Sequence, residues 1–260
     1  MDWVSGMPED TVAVEVVPLR DGSTANDSRL GRLVEFDDRS RDYPAIPRAS
    51  AIHDYPLRSY SWRCSQFLDQ GREGSCCGHM AAHELIARPN EVKGVTQPDA
   101  VRLYRLAQQR DEWDGEAYEG SSNLGVSKAV MELYAGEVTS YSWCFGILDV
   151  LRVLGYRSPV GLGALWRRGM SLPDEKGFIH NTGVIDGGHS VLCRGVKLVF
   201  MDRKVAKTWQ HLNTDESYVK IHQSWGGDFG DGGMVYLSVG ELSTLLQEDG
   251  DAVRFERTGG

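Results

Sequence analysis

No run of apolar residues in this 260-residue chain approaches the ~20 needed to span a bilayer, so no membrane-crossing helix is expected. Basic residues are in deficit: 28 Lys and Arg stand against 37 Asp and Glu, a formal net charge of −9. With no basic stripe to neutralise phosphates, the chain is not expected to bind nucleic acid. Cysteine is scarce, and the count of five is odd, with Cys76 and Cys77 adjacent. That argues against a disulfide framework and for reduced thiols in a cytoplasm-like compartment. The opening Met1-Asp2-Trp3-Val4-Ser5 lacks the basic-then-apolar pattern of a secretory signal. There are no repeats, no low-complexity tracts and no GxSxG elbow.

What is present is ordinary globular material, 41% hydrophobic and 25% charged, enough for one large domain or two lobes. Residues 1–50 are charged and irregular, with an alternating stretch at Thr11–Val17 that reads as an edge strand. They are expected to form an extension wrapping the domain of residues 51–260. An inhibitory segment within them would be expected to carry a long charged helical pattern, and none is visible. From Gly74 helices begin. Cys77, Met80, Ala81 and Leu85 fall at helical spacing after Cys76, and Pro89 stops the run. Pro98-Asp99 marks a second helix, Ser121-Ser122 precedes a third, and residues 147–154 make a fourth. Strands follow at 159–165, 189–200, 218–225 and 234–238, then a helix at 239–247 and a strand at 252–255. Helices first and strands second predict an α+β protein, with a helical lobe over about 60–155 and a β-rich lobe over about 156–260.

Three segments carry chemistry. Gln70-Gly71-Arg72-Glu73-Gly74-Ser75-Cys76 puts a thiol at the start of a helix. The free N–H groups and positive dipole end there favour thiolate, and the same N–H groups can hold an oxyanion, with the Gln70 amide as a second donor. Gly187-Gly188-His189 places an imidazole at the head of an apolar strand, where two glycines permit close approach of another chain. In Gln223-Ser224-Trp225-Gly226 an amide oxygen is available to accept the Nδ1–H of His189, turning Nε2 toward Cys76, and Trp225 to shield that bond.

Taken in order, these segments resemble the papain-like cysteine peptidases. Gln70-Gly71 through Gly74-Ser75-Cys76 is similar to the family's oxyanion glutamine and nucleophile motif, Gly188-His189 to its histidine motif, and Ser224-Trp225-Gly226 with Phe229-Gly230 and Gly232-Gly233 to its Asn-Ser-Trp-Gly signature. The resemblance implies a two-lobed papain-like α+β fold with the cleft between the lobes. It also implies Cys76 as nucleophile, His189 as general base, Gln223 as orienter and Gln70 as oxyanion donor. Tyr118-Glu119-Gly120-Ser121-Ser122 sits where the family has a substrate-binding loop, so Gly120, Ser121, Gly188 and Trp225 are expected to contact substrate. The implied substrate is a protein or peptide, cleaved at peptide or isopeptide bonds without metal or cofactor. Residues Met170–Ile179 are similar to a loop of compact bacterial and phage-encoded members, which implies a bacterial or phage-infected cytoplasm or a virion, with a virion or host protein as partner.

The pattern departs from the family in three places. Gln223 stands where the family has Asn, Cys77 replaces the aromatic residue after the nucleophile, and Glu73 replaces a disulfide cysteine, bringing a charge that opposes thiolate unless Arg72 or solvent offsets it. These departures motivate the alternative of an inactive papain-fold binding or structural protein, such as a phage-particle component. Other features are read as structural. His79 and His83 have a zinc-ligand spacing without the HExxH carboxylate, and are expected to be packing or exposed residues. Trp143 and Trp166 are expected in the core or at the lobe interface, with Trp166 lining the groove as the less favoured reading. Gly163 and Ser190 are expected to leave a roomy pocket.

Overall fold

A computed structural model describes residues 16–114, 119–202, 204 and 206–258. Most of the edge strand read at Thr11–Val17, and Tyr118, lie outside them. Five α-helices and eleven strands follow one another along the described chain: β1 Val17–Pro18, β2 Thr24–Ala25, β3 Arg32–Leu33, β4 Tyr60–Ser61, α1 Cys76–Leu85, α2 Gln97–Ala107, β5 Ser121–Ser122, α3 Asn123–Leu133, β6 Val138–Trp143, α4 Ile147–Tyr156, β7 Val160–Arg167, β8 Ile185–Lys197, β9 Tyr218–His222, β10 Met234–Ser238, α5 Val239–Gln247 and β11 Asp251–Arg257.

The first helix is the central one. All ten residues of α1 are buried, which its small residues allow. A Cβ on Gly78 would stand 2.3 Å from the Ala100 carbonyl oxygen, so only glycine lets α2 come this close. Its three polar side chains are met one by one: His79 by the Ser75 carbonyl (3.0 Å), His83 by the Leu68 N–H (2.9 Å), and Glu84 by the Phe255 N–H (2.7 Å). A polar group buried this deeply requires such a partner. In contrast, α2 is one-sided, burying Ala100, Leu103, Tyr104 and Ala107 at helical spacing. It is started by a reciprocal cap in which the Asp99 carboxylate accepts from the Thr96 N–H (2.9 Å).

The second half is a seven-stranded sheet in the order β10-β9-β8-β7-β11-β6, with β4 added on β8. The long antiparallel pairing of β7 with β8 sets Gly163 opposite Ser190 and Ala164 opposite His189. One apolar cluster lies among the sheet, α4 and α5, with Leu162, Val191, Ile221 and Leu242. A second lies among α1, α2 and α3, with Met80, Leu85, Leu103 and Val130. Strand β6 (138–143) is an element absent from the sequence reading. Its run VTSYSW has three partly or fully exposed residues, so periodicity alone does not mark it. Both strands that carry site residues are shifted from expectation: β8 starts four residues earlier than 189, and β9 ends at His222, leaving Gln223 and Trp225 in the turn beyond it.

Residues 16–36 form no helix. They lie extended, with β3 parallel to β5 and an isolated parallel bridge from Gly31 to Gly188.

Candidate active site

Cys76 is the first residue of α1, and Ser75 before it supplies no side-chain cap, its hydroxyl lying 3.2 Å from His79 Nδ1 instead. The N–H groups of the first turn are therefore left for other acceptors. Burial opposes ionisation of the Cys76 thiol. Hydrogen bonds from Cys77 and His189, the His189 charge and the Ser190 backbone outweigh it and hold the thiol well below its ordinary range. Cys77 behaves in the opposite way. Burial and the neighbouring Cys76 sulfur push it well above the ordinary range, and its thiol donates to the Ser121 carbonyl (3.1 Å). Of the adjacent pair, Cys76 is the acidic one.

His189 is completely buried on β8 and walled by two indoles: Trp166 edge-on at 4.7 Å and Trp225 tilted at 4.9 Å between centroids. Its Nε2 donates to Gln223 Oε1 at 2.9 Å, and the Ser224 N–H donates to the same oxygen at 3.2 Å, so two donors agree on which way the amide faces. This corrects the sequence reading, which gave Gln223 the Nδ1 nitrogen. Nδ1 has no hydrogen-bond partner and is the nitrogen left for the Cys76 thiol. The reason lies in the strand: Gln223 directly follows β9, which pairs with β8, and that pairing sets its amide against Nε2. Trp166 is wholly buried beneath the imidazole and donates to Ser171 Oγ (3.1 Å), so it lines the histidine and not a groove.

Gln70 is tied to the same turn. Its Oε1 accepts from Ser224 Oγ (2.6 Å), and its backbone N–H donates to the Ser224 carbonyl (2.9 Å). Its Nε2, however, donates to two carbonyls, Glu73 (2.7 Å) and Arg29 (3.0 Å). Both amide hydrogens are taken in this form. The Glu73 carboxylate is paired with Arg105, not with Arg72.

Arg29 belongs to the segment that fills the cleft. The Arg29 guanidinium lies 3.9 Å over Trp225, the Gly31 carbonyl accepts from the Ser121 N–H (2.9 Å), and Asn26 N–H donates to the Asp186 carbonyl (2.7 Å). Three glycines make room. A Cβ on Gly31 would stand 2.1 Å from the Gly74 carbonyl oxygen, one on Gly188 2.1 Å from that of Arg32, and one on Gly120 (φ +98°) 2.7 Å from that of Gly31. The residues expected to contact substrate, Gly120, Ser121, Gly188 and Trp225, thus contact residues 29–32 of the chain itself. That segment was not recognisable in the sequence, where it shows only a lone glycine in an extended polar stretch.

Between Gly163 and Ser190, where a roomy pocket was expected, the space is filled by Arg32, Asp251 and Asn123, all within 2.7 Å of a Cβ placed on Gly163. Asp251 and Asn123, which form its base, were missed because they come from β11 and α3, far apart in sequence. His79 and His83 are both buried against protein partners, so they are packing residues. Among the described residues no group of three or more His, Cys, Asp or Glu is arranged to hold a metal ion. All five cysteines are free.

No protein-family model matches the chain, and comparison with curated proteins finds no match. Solved structures do match. Xylellain, a cysteine protease from Xylella fastidiosa, is 20% identical, covers 90% of this chain and 98% of its own, and has a TM-score of 0.53. Procathepsin B from Trypanosoma congolense is 13% identical over 88% of this chain and 87% of its own, with a TM-score of 0.59. A cysteine protease from Carica candamarcensis is 15% identical over 77% of this chain and 98% of its own, with a TM-score of 0.51. The chain has the two-lobed α+β fold of the papain-like cysteine proteases.

Proposed function

We propose that the protein is a cysteine peptidase that cleaves peptide or isopeptide bonds through Cys76, His189 and Gln223, and that residues 29–32 hold it closed until they leave the cleft. The observation that carries this reading is geometric: Cys76 opens α1, and the His189 ring has its Nε2 fixed by Gln223 at 2.9 Å with Nδ1 left unpartnered, an arrangement in keeping with the lowered Cys76 pKa. Burial of His189 between Trp166 and Trp225 excludes water from that hydrogen bond. The similar solved structures are themselves named cysteine proteases, which supports the same chemistry here.

In the open form the Cys76 thiolate adds to the carbonyl carbon, and the C=O pair moves onto oxygen. The Cys76 N–H and the Gln70 Nε2 hydrogen released from the Arg29 carbonyl receive that oxyanion, while Glu73 keeps the other amide hydrogen. His189 then gives its Nδ1 proton to the leaving amine as the C–N bond breaks, leaving a thioester on Cys76. Water adds to the thioester with His189 Nδ1 taking its proton, and collapse frees the carboxylic acid and restores thiolate and imidazolium. Gln223 keeps the ring in register through both steps. Its extra methylene relative to Asn is accommodated, since the bond to His189 is of ordinary length.

The test is intact-mass analysis of labelling by a small alkylating agent in the full chain carrying Gly31→Val, which cannot seat the segment. One fast adduct that is absent in Cys76→Ala and slowed in His189→Ala supports an activated pair. Labelling no faster than a free thiol, or labelling at Cys77, would leave the chain as a binding protein on a papain-like scaffold.

A further inference from the structure

The pocket beside the reactive pair holds a charge that belongs to the closing segment. Arg32 has a fully buried side chain, and its Nη2 lies 3.2 Å from Asp251 Oδ1 and donates to the Asp249 carbonyl at 2.8 Å. Asp251 Oδ1 also accepts from Asn123 Nδ2 (2.8 Å), and Asn123 Oδ1 accepts from Ser190 Oγ (2.7 Å). The acidic base of the pocket is thus wired to the residue next to His189. Gly163 supplies the space, for a Cβ there would stand 2.7 Å from Arg32 Nε and 2.2 Å from Asp251 Oδ1. Asp249 is the one non-glycine residue with positive φ (+59°) among the described residues, and that turn presents its carbonyl to the guanidinium.

These groups hold one nitrogen of the Arg32 guanidinium, Nε and Nη1 having no hydrogen-bond partner, and the occupant comes from a two-residue strand laid in the cleft and not from the core. When the segment withdraws, a buried carboxylate is left facing a cavity the size of an arginine side chain. Asp251 Oδ2 has no hydrogen-bond partner even with Arg32 in place, so the site retains unused acceptor capacity. An apolar side chain entering there would leave the carboxylate uncompensated, whereas a basic one would replace what was lost.

We infer that the pocket built on Asp251, Asn123 and the Asp249 carbonyl selects an arginine in the substrate, with Arg32 as its resident stand-in. The inference rests on the peptidase reading above, and it names the substrate class: peptides carrying a basic residue at the position this pocket receives.

The experiment uses the full chain with Gly31→Val and a fluorogenic peptide library scanned at each position, with and without Asp251→Asn. The expected result is one position at which Arg exceeds Leu by about 100-fold in kcat/KM, a preference that collapses toward parity in Asp251→Asn. Hydrolysis without a basic preference, or a preference that survives Asp251→Asn, overturns the inference and leaves the peptidase reading standing. Absence of both hydrolysis and fast Cys76 labelling overturns the peptidase reading, and this one with it. A second measurement needs no catalysis: in Arg32→Ala, millimolar ethylguanidine should raise Tm while ethylurea does not, and the gain should vanish when Asp251→Asn is added. An equal response to both compounds, or none to either, overturns the inference independently.

Discussion

Arg32→Met tests the buried pair at the cleft quantitatively. The Arg32 and Asp251 side chains are 0% and 4% exposed, so solvent screens little of their interaction. Methionine fills much of the arginine volume but leaves the carboxylate buried without its charge partner. Breaking such a pair from one side costs about 3–5 kcal/mol. For a chain of this size that corresponds to a fall in Tm of roughly 6–20 °C. The cost depends on pH in a fixed direction. Burial raises the Asp251 pKa above 3.8, while Arg32 and Asn123 work against the rise. The folded chain therefore holds this proton more tightly than the unfolded chain, and Asp251 removes stability as pH climbs from 3.8 through its folded value. Without Arg32 the folded value rises further, so the penalty is largest at neutral pH and shrinks on acidification as the carboxyl becomes neutral. Urea unfolding of wild type and variant near pH 7.5 and near pH 4.5 measures both terms. A penalty below about 1 kcal/mol at both values, or one that grows on acidification, would refute the reasoning.

Three further outcomes are expected. Because the Cys76 pKa is held well below its ordinary value, the thiolate persists to lower pH than in an ordinary thiol. The midpoint of the alkylation rate against pH in the Gly31→Val chain should therefore lie well below that of a free thiol, and His189→Ala should move it back toward the ordinary value. Gln223→Ala removes the acceptor at His189 Nε2 and should lower kcat by up to about 100-fold with KM little changed, read by peptide hydrolysis. Glu84 is buried with its pKa raised to about 7, chiefly by burial, so it removes stability as pH rises from 4.5 through 7. Glu84→Gln should flatten the dependence of Tm on pH across that window, and an unchanged slope would contradict the assignment.

Much of the fold was legible because its elements carry local signals. The start of α1 at Cys76, the strand at 234–238 and the helix at 239–247 fall where spacing, prolines and glycines put them. The three motif segments converge on one site, as their chemistry implied. What was not legible is non-local. Which ring nitrogen of His189 meets Gln223 depends on how β9 sits beside β8, which no single segment encodes. The Arg32–Asp251–Asn123 cluster joins three distant stretches, and none has a periodicity that marks a pocket. The closing segment pairs through strands of only two residues, too short to leave a pattern, and its fit depends on the absence of Cβ atoms at Gly31, Gly120 and Gly188.

The central claim is covalent catalysis at Cys76. The direct measurement is acid-quenched turnover of an activated ester by the Gly31→Val chain, with intact-mass and peptide mapping of the quenched protein. The account predicts one acyl adduct on Cys76 that accumulates within the first turnover and is lost in Cys76→Ala. No adduct, or an adduct on Cys77, would contradict it.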